Sequence, residues 1–538
     1  MKYLVSLIVI LMLSNACSQK EKADLLVINA NIYTVNPDFA KADAFAVKDG
    51  KFVAVGASQD LKSKYAASKT LDAKGQTILP GLIDAHCHFF GLGLQQQKVD
   101  LTGTKSYDDV LDKIKAFQDT KHVQFITGRG WDQNDWEIKK FPTKEKLDKL
   151  FPKTPVAVTR IDGHALLVNQ VALDLAGINA KTKVSGGEII KQNGKITGVL
   201  IDNAMSKVYA VIPSPTKNEQ IQALLDAQKI CTNLGLTTVD DAGLSKDNLE
   251  LIDSLQKVGK LKIRIYGMVS ATPNNLNYYI KKGIVKTDRL NIRSFKVYAD
   301  GALGSRGAAL RKPYSDKPHH YGAFVTSVKN IEATAKRIAA STYQMNTHAI
   351  GDSANHFVLQ AYTKALKGQK DRRWRVEHAQ VVSPEDFKYF KNIAPSIQST
   401  HATSDMYWAG DRLGAERLKG AYAYKDLLKQ YGKVALGTDF PVEKVNPMLT
   451  FYAAVARQDL NKYPEKGFQM ENALSRKETL KGMTIWAAYS NFEEKEKGSI
   501  EMGKMADFVI LNQDIMTIDI HKVPYTKVEA TYINGEKM

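Results

Sequence analysis

The chain has 538 residues and a formal net charge of +18, with 44% hydrophobic and 25% charged residues. This composition is that of a globular protein with a substantial core, and it excludes a chain that is disordered throughout. The basic balance does not indicate a nucleic-acid partner, because lysines alternate with acids, as in Lys144-Glu145-Lys146, and no basic run occurs.

The first residues predict an export signal. Lys2 precedes an apolar stretch at residues 4–13, which is too short for a membrane-spanning helix, and Ser14-Asn15-Ala16-Cys17 follows it. Small residues before a cysteine resemble a bacterial lipobox, so we predict a lipoprotein signal peptide over residues 1–17 and a lipid anchor on Cys17. Cleavage nearby without lipidation is the alternative. The expected location is the bacterial cell envelope, facing the periplasm or the cell surface.

Both ends of the chain predict β-structure. Residues 24–76 contain strand-like runs and a hairpin signal at Asp49-Gly50, and residues 497–538 contain further runs and a turn signal at Asn534-Gly535. We predict one small β-sandwich domain built from both chain termini. Two unrelated terminal hairpins are the alternative.

Residues 77–490 alternate strand-like and helix-like patterns. Such alternation predicts an α/β fold with a parallel sheet and crossover helices. There are more strand-like runs than a closed barrel of eight strands needs. We place the extra runs in an inserted lobe at about residues 100–235.

The pair His86 and His88 ends an apolar run at residues 77–85. Alternate side chains of a strand share a face, so the two imidazoles point to the same side and form half of a divalent metal site. Such pairs also occur by chance in loops. Support comes from further polar residues that close or follow predicted strands: His164, His348, His378, His401 and Asp439. In a parallel barrel this edge is where catalytic groups gather, and imidazole and carboxylate suit zinc.

Lys296 interrupts a strand that should be buried. A charged lysine is costly in a core unless it is paired or neutralised. One explanation is a salt bridge, for example with Asp300. The other is a carbamate formed with carbon dioxide, an anion whose two oxygens could bridge two metal ions.

Several segments together resemble the amidohydrolase superfamily of metal-dependent hydrolases. These are residues 79–88, the strand around Lys296, His348, His378 and residues 437–439. The resemblance is closer to the family 3 branch, which includes N-substituted formamide deformylases. The segments that carry this closer likeness are residues 130–132, 162–165, 300–306, 348–352, 377–380 and 498–507.

This resemblance implies a (β/α)₈ barrel, also called a TIM barrel, flanked by the β-sandwich. It implies a site for divalent metal, two Zn²⁺ per chain, made by His86, His88, Lys296, His348, His378 and Asp439. His86 and His88 would bind one ion, His348 and His378 the other, and a carboxylated Lys296 would bridge them. Asp439 would bind the first ion and act as the catalytic base on the attacking water.

The predicted reaction is hydrolysis of a non-peptide carbon–nitrogen bond, in an amide or an N-acyl or N-formyl amine, by a metal-activated hydroxide. A hydrolytic deaminase or dechlorinase of a heterocycle, and a non-catalytic ligand-binding surface lipoprotein, are the alternatives. The predicted substrate-binding residues are Trp131, Asp132, His164, Arg306 and His401. For Arg306 the alternative is a structural ion pair, and for Trp131 it is a place in the core of the lobe. The small-molecule substrate and a homodimer complete the expected partners.

Overall fold

The computed structural model describes residues 20–184 and 187–538, so the predicted signal peptide at residues 1–17 and the predicted lipid anchor at Cys17 lie outside the described residues. In the described part of the chain, the central sheet has nine strands: eight parallel strands, each beside the next in chain order, and the short strand Val285–Lys286, which pairs antiparallel with one of them. We number the eight parallel strands β1–β8: Leu82–Cys87, Leu236–Leu244, Arg264–Ser270, Leu290–Tyr298, Gln344–Ala349, Arg375–His378, Ala394–Ile397 and Ala435–Leu436.

Backbone hydrogen bonds between β1 and the segment after β8 close this sheet into a barrel. The Asp439 N–H donates to the His86 carbonyl at 2.7 Å, and the His88 N–H donates to the Phe440 carbonyl at 2.7 Å. Gly437 permits the close approach, because a Cβ at this position would lie 2.4 Å from the His86 nitrogen. The predicted (β/α)₈ barrel is therefore confirmed.

Helices surround the barrel and connect its strands. Several begin at a polar cap: the Thr216 and Ser245 side chains each accept the N–H of the residue three places on, in capping boxes. The main helices of this layer are Phe89–Gln95, Lys217–Asn233, Lys246–Lys257, Pro273–Lys282, Val328–Ala339, Asp352–Leu366, Ser399–Asp405, Ala409–Leu418, Tyr424–Tyr431, Pro447–Ala456, Arg476–Gly482 and Ile485–Ser490.

The lobe is inserted between β1 and β2, as predicted. Its sheet has the strand order Gly187–Gln192, Lys195–Asp202, Ala165–Val168, Val156–Arg160, Ile126–Trp131 and Val99–Asp100. Its helices are Tyr107–Lys121, Glu145–Leu150, Gln170–Leu175 and Met205–Tyr209. The lobe has a hydrophobic core separate from that of the barrel, and Trp131 and Trp136 are part of it.

The two ends of the chain share a pair of packed sheets. One sheet has the order Lys51–Gly56, Ala44–Lys48, Glu21–Ile28 and Tyr65–Asp72. The other has the order Glu536–Lys537, Val528–Ile533, Phe508–Leu511, Thr77–Pro80, Asn31–Tyr33 and Lys41–Ala42. Phe45 of the first sheet packs on Phe508 of the second, with ring centroids 4.9 Å apart. Both ends therefore contribute to one small sandwich, and the predicted fold class is confirmed.

A buried ion pair joins the sandwich to the barrel. Arg264 opens β3, and its Nε and Nη2 donate to the two carboxylate oxygens of Asp507 at 2.6 and 2.9 Å. The sandwich therefore covers the end of the barrel where strands begin, and the opposite end remains for a site. Across residues 20–184 and 187–538, no helix is both long enough and apolar enough to cross a bilayer.

Candidate metal centre

The six predicted metal-binding side chains meet at the end of the barrel where the strands finish. The ring centroids of His86 and His378 lie 4.9 Å apart, and those of His378 and His348 lie 4.5 Å apart. The Lys296 Nζ lies 3.0 Å from His86 Nε2. We call the set the central cluster: His86, His88, Lys296, His348, His378 and Asp439.

His86, His88 and Asp439 form one group that can hold a divalent ion. The His88 Nδ1 lies 3.0 Å from the Ala242 carbonyl, which can only accept, so the proton sits on Nδ1 and the lone pair on Nε2. That Nε2 lies 3.1 Å from the Asp439 carboxylate. Two acceptors face each other there unless a proton or a cation lies between them. Burial alone would lower the pKa of His88, but the nearby Asp439 carboxylate raises it. This shift also indicates that the contact between His88 and Asp439 favours a positive charge.

A second group shares Asp439 and adds His378 and His401. His401 comes from the helix Ser399–Asp405 that follows β7, and its Nε2 lies 3.7 Å from Asp439 Oδ2. Its ring stacks on that of His378 at an interplanar angle of 12°. The resemblance implies His348 as the partner of His378, whereas the structure groups His378 with His401, which we expected at the substrate.

The backbone at two of these residues departs from ordinary strand geometry. His378 ends β6 with φ of +72°, and Asp439 follows β8 with φ of +63°. Non-glycine residues rarely adopt this left-handed conformation, and they do so at a cost of about 1–3 kcal/mol that the surrounding fold must offset. The backbone therefore turns at His378 and at Asp439, and this turn directs both side chains across the mouth of the barrel.

Buried polar atoms in the cluster fit a bound metal. Within the described residues, the His348 Nε2, His378 Nδ1, His401 Nε2 and Asp439 Oδ1 atoms are buried and have no hydrogen-bond partner. Buried polar atoms are nearly always paired, so a concentration of unpaired imidazole and carboxylate atoms suits the binding of a divalent cation. Burial and the nearby Lys296 charge lower the pKa of His86 to about 4 and that of His348 to about 3, so both imidazoles are neutral, as metal ligands must be.

Lys296 is buried within the cluster. Burial lowers its pKa from 10.5 to about 8, against the opposing effect of Glu377 and Asp439. The salt bridge considered with Asp300 does not form: the Asp300 carboxylate instead accepts the N–H groups of Ala309, Ile350 and Gly351 at 2.8–3.0 Å. Lys296 thus lies beside a nitrogen of a candidate ligand, His86, with an amine that loses its proton more readily than an exposed lysine.

Two predicted substrate residues of the lobe have structural contacts. Trp131 is fully buried, and its indole N–H donates to the Val158 carbonyl at 2.8 Å. The Asp132 carboxylate accepts from Arg160 at 2.6 Å and from the Asn134 N–H at 2.9 Å. Trp131 therefore takes the alternative role considered for it, a place in the core of the lobe, and Asp132 caps a turn at its edge.

Two more predicted substrate residues, His164 and Arg306, pair with aspartates outside the central cluster. His164 is exposed, and its Nδ1 lies 2.7 Å from Asp202. Arg306 makes a two-pronged pair with Asp316, at 3.0 and 2.9 Å, which is the structural ion pair considered as its alternative. In the described residues neither one hydrogen-bonds to the central cluster. His401 is thus the one predicted substrate residue that the structure places against the candidate ligands.

A network of charged side chains behind His86 was not predicted. His86 Nδ1 lies 2.6 Å from Glu377, Arg375 donates to Glu377 at 2.7 Å, and Arg375 also donates to Asp240 at 2.9 Å. Burial alone would raise the pKa of Glu377, but the Arg375 charge and the His86 contact hold it below the ordinary value. One signal was available in the sequence. Arg375 and Glu377 are two residues apart on the strand Arg375–His378, so their side chains lie on the same face.

A cavity of about 760 Å³ lies between the lobe sheet and the end of the helix Phe89–Gln95. Gly130 and Gly163 line it, while their neighbours Trp131 and His164 do not. None of the central cluster lines it either. The helix starts directly after His88 and its last residue, Gln95, lines the cavity, so His88 and Gln95 are one helix length, about 10 Å, apart.

The sequence and the fold are similar to those of known proteins. A family model described as the amidohydrolase family matches residues 69–537. The protein LONG AFTER FAR-RED 3 of Arabidopsis thaliana is 33% identical over 96% of this chain and 91% of its own length. An N-substituted formamide deformylase of Arthrobacter pascens is 25% identical over 95% of this chain and 97% of its own. The crystal structure of an uncharacterized metal-dependent hydrolase from Pyrococcus furiosus is 27% identical, with a TM-score of 0.77 over 92% of this chain and 100% of that one.

Proposed function

This chain belongs to the amidohydrolase family, and from that premise we propose that it hydrolyses a non-peptide carbon–nitrogen bond, in an amide or an N-acyl or N-formyl amine. The observation that carries the proposal is the set of unpaired, buried imidazole and carboxylate atoms at the mouth of the barrel. The choice of bond is supported by the similarity, over 95% of this chain, to a protein named N-substituted formamide deformylase.

The central cluster, together with His401, would supply the ligands for divalent metal. His86, His88 and Asp439 would hold one ion, and His378 with His401 or His348 would hold the second. A divalent ion bound there lowers the pKa of a water molecule towards neutrality and polarises the substrate carbonyl. We propose zinc, because imidazole and carboxylate ligands suit it.

Asp439 is proposed to move the proton. The neighbouring imidazoles of His88, His86 and His401 outweigh the effect of burial and hold the pKa of the Asp439 carboxyl well below its usual range. The carboxylate is therefore ionised and can accept a proton from the attacking water. The same carboxyl can then deliver that proton to the leaving nitrogen, which departs as a neutral amine.

Lys296 is proposed to carry a carbamate in the active protein. Its neutral amine would attack carbon dioxide, forming an N–C bond and releasing one proton. The lowered pKa favours this step, because only the unprotonated amine is nucleophilic. The anion replaces a buried positive charge next to His86 with a negative one, which suits a site for two cations.

Metal analysis and a substrate screen test these proposals together. We expect two equivalents of zinc per wild-type chain, falling to one or fewer in Lys296→Ala, and release of an acid and an amine from N-formyl or N-acyl amines. Release of ammonia or chloride from a heterocycle would instead identify the alternative deaminase or dechlorinase. Absence of bound metal, with ligand binding unchanged in His86→Ala, would support a non-catalytic binding protein.

We also propose that Cys17 carries the lipid that anchors the protein to the cell envelope. The support is the lipobox-like sequence at residues 14–17. In a bacterial host the wild-type protein should partition into detergent, and Cys17→Ser should move it to the aqueous phase. Aqueous partitioning of the wild type would refute the anchor.

A further inference from the structure

We infer that Glu377 is a positioning residue that fixes the tautomer and the orientation of His86 for metal binding. The inference deepens the proposed function and rests on it. It concerns four buried side chains behind His86: Glu377, Arg375, Asp240 and Asn491.

The contact between Glu377 and His86 determines which imidazole nitrogen carries the proton. His86 Nδ1 and Glu377 Oε2 are 2.6 Å apart, and both side chains are fully buried. An ionised carboxylate can only accept, so Nδ1 must be the donor. The lone pair is therefore on Nε2, the atom that lies 3.6 Å from Asp439 and faces the centre of the cluster.

Arg375 prevents the Glu377 carboxylate from turning. Its Nε donates to Glu377 Oε1 at 2.7 Å, so each carboxylate oxygen has its own partner. The Arg375 Nη2 donates to the Ala85 carbonyl at 2.9 Å, on the strand that carries His86. A rotation of Glu377 would break one of two charged hydrogen bonds in a buried site, which is costly.

Asp240 and Asn491 hold Arg375 in turn. Arg375 Nη1 lies 2.9 Å from Asp240 Oδ2, and Asn491 Nδ2 donates to Asp240 Oδ1 at 2.6 Å. This network of side chains thus extends from the segment after the helix Ile485–Ser490, across the barrel interior, to His86. The Nδ1 atom of His88 contacts only a backbone carbonyl, that of Ala242, so the network supports His86 and not His88.

A charged partner should matter for the strength of metal binding. A carboxylate behind a ligand histidine fixes its ring and raises its basicity, and loss of such a partner typically weakens metal affinity about 10–100-fold. Glu377→Gln keeps the volume but removes the charge, and its amide cannot accept from both Arg375 and His86. We expect zinc affinity to fall about 10–100-fold in Glu377→Gln.

The experiment measures zinc dissociation constants by competition with a chelator on metal-free wild type, Glu377→Gln and Asp507→Asn. Asp507→Asn is the matched control, because it neutralises an equally buried carboxylate paired with an arginine, Arg264, at the opposite end of the barrel. We expect both variants to lose stability and only Glu377→Gln to lose zinc affinity. Equal affinities in wild type and Glu377→Gln, or an equal loss in Asp507→Asn, would overturn the inference.

Asn491→Ala provides a milder variant if Glu377→Gln does not fold. It removes the residue of this network that is farthest from His86, and we expect a smaller loss of zinc affinity than in Glu377→Gln; unchanged affinity would overturn the inference. The proposed function is judged separately. A wild-type protein that binds no zinc would refute the metal-dependent hydrolase, whereas wild-type binding with unchanged variants would refute only the role of Glu377.

Discussion

Replacing Lys296 by methionine is expected to stabilise the metal-free protein at neutral pH. Burial lowers the pKa of the Lys296 amine from 10.5 to about 8, so the folded protein holds this proton more weakly than the unfolded chain does. One pKa unit corresponds to about 1.4 kcal/mol, so the buried charge costs about 3 kcal/mol at pH 7. Methionine has a similar length without the charge and should remove most of this cost.

The stabilisation by Lys296→Met should shrink as the pH rises. Between pH 8 and 10.5 the unfolded chain binds the Lys296 proton and the folded protein does not, so the stability of the wild type increases with pH over this interval. The advantage of the variant should therefore fall from about 3 kcal/mol at pH 7 to about 1 kcal/mol at pH 10.

Urea unfolding of chelator-treated protein, followed by tryptophan fluorescence at both pH values, measures this difference. Lys281→Met, at an exposed lysine, controls for the substitution itself. A Lys296→Met protein that is no more stable than the wild type at pH 7 would refute the reasoning, and so would an advantage that persists unchanged at pH 10.

Three further predictions concern the central cluster. Asp439→Asn should lower kcat about 10²–10⁴-fold, as expected for loss of the proton acceptor, and steady-state kinetics with a responsive substrate would check it. His401→Ala should lower the zinc content, because His401 Nε2 lies 3.7 Å from Asp439; unchanged content by elemental analysis would leave His348 as the ligand. Chelation should abolish hydrolysis and lower the thermal midpoint, since an ion that binds only the folded protein stabilises it, and added zinc should restore both.

The fold was predictable because its signals are local. Alternating strand and helix patterns indicated the barrel, and the turns at Asp49-Gly50 and Asn534-Gly535 have the left-handed φ values that such pairs favour. That the six candidate ligand side chains lie close together was predictable for a related reason. Each belongs to a strand of the barrel or follows one closely, and the ends of parallel strands converge whatever the rest of the chain does.

The partners of polar side chains were not predictable, because they are distant in sequence. Arg306 pairs with Asp316, while Glu377 meets His86 from 291 residues away. Adjacent residues on a strand normally point to opposite faces of the sheet, so placing His378 in the site gave no reason to place Glu377 there as well. Both side chains can face the barrel interior because His378 has a left-handed φ of +72°, and no sequence pattern predicts that conformation.

The mixed sheet of the sandwich also has a consequence for how the chain is made. Strand Thr77–Pro80 pairs with Phe508–Leu511, which is synthesised more than 400 residues later. At a translation rate of about 5–20 residues per second, the nascent protein waits about 20–90 s with that edge uncovered. An uncovered apolar edge can recruit the same strand of a neighbouring polypeptide, so we expect newly made copies to need chaperone protection until their last segments emerge.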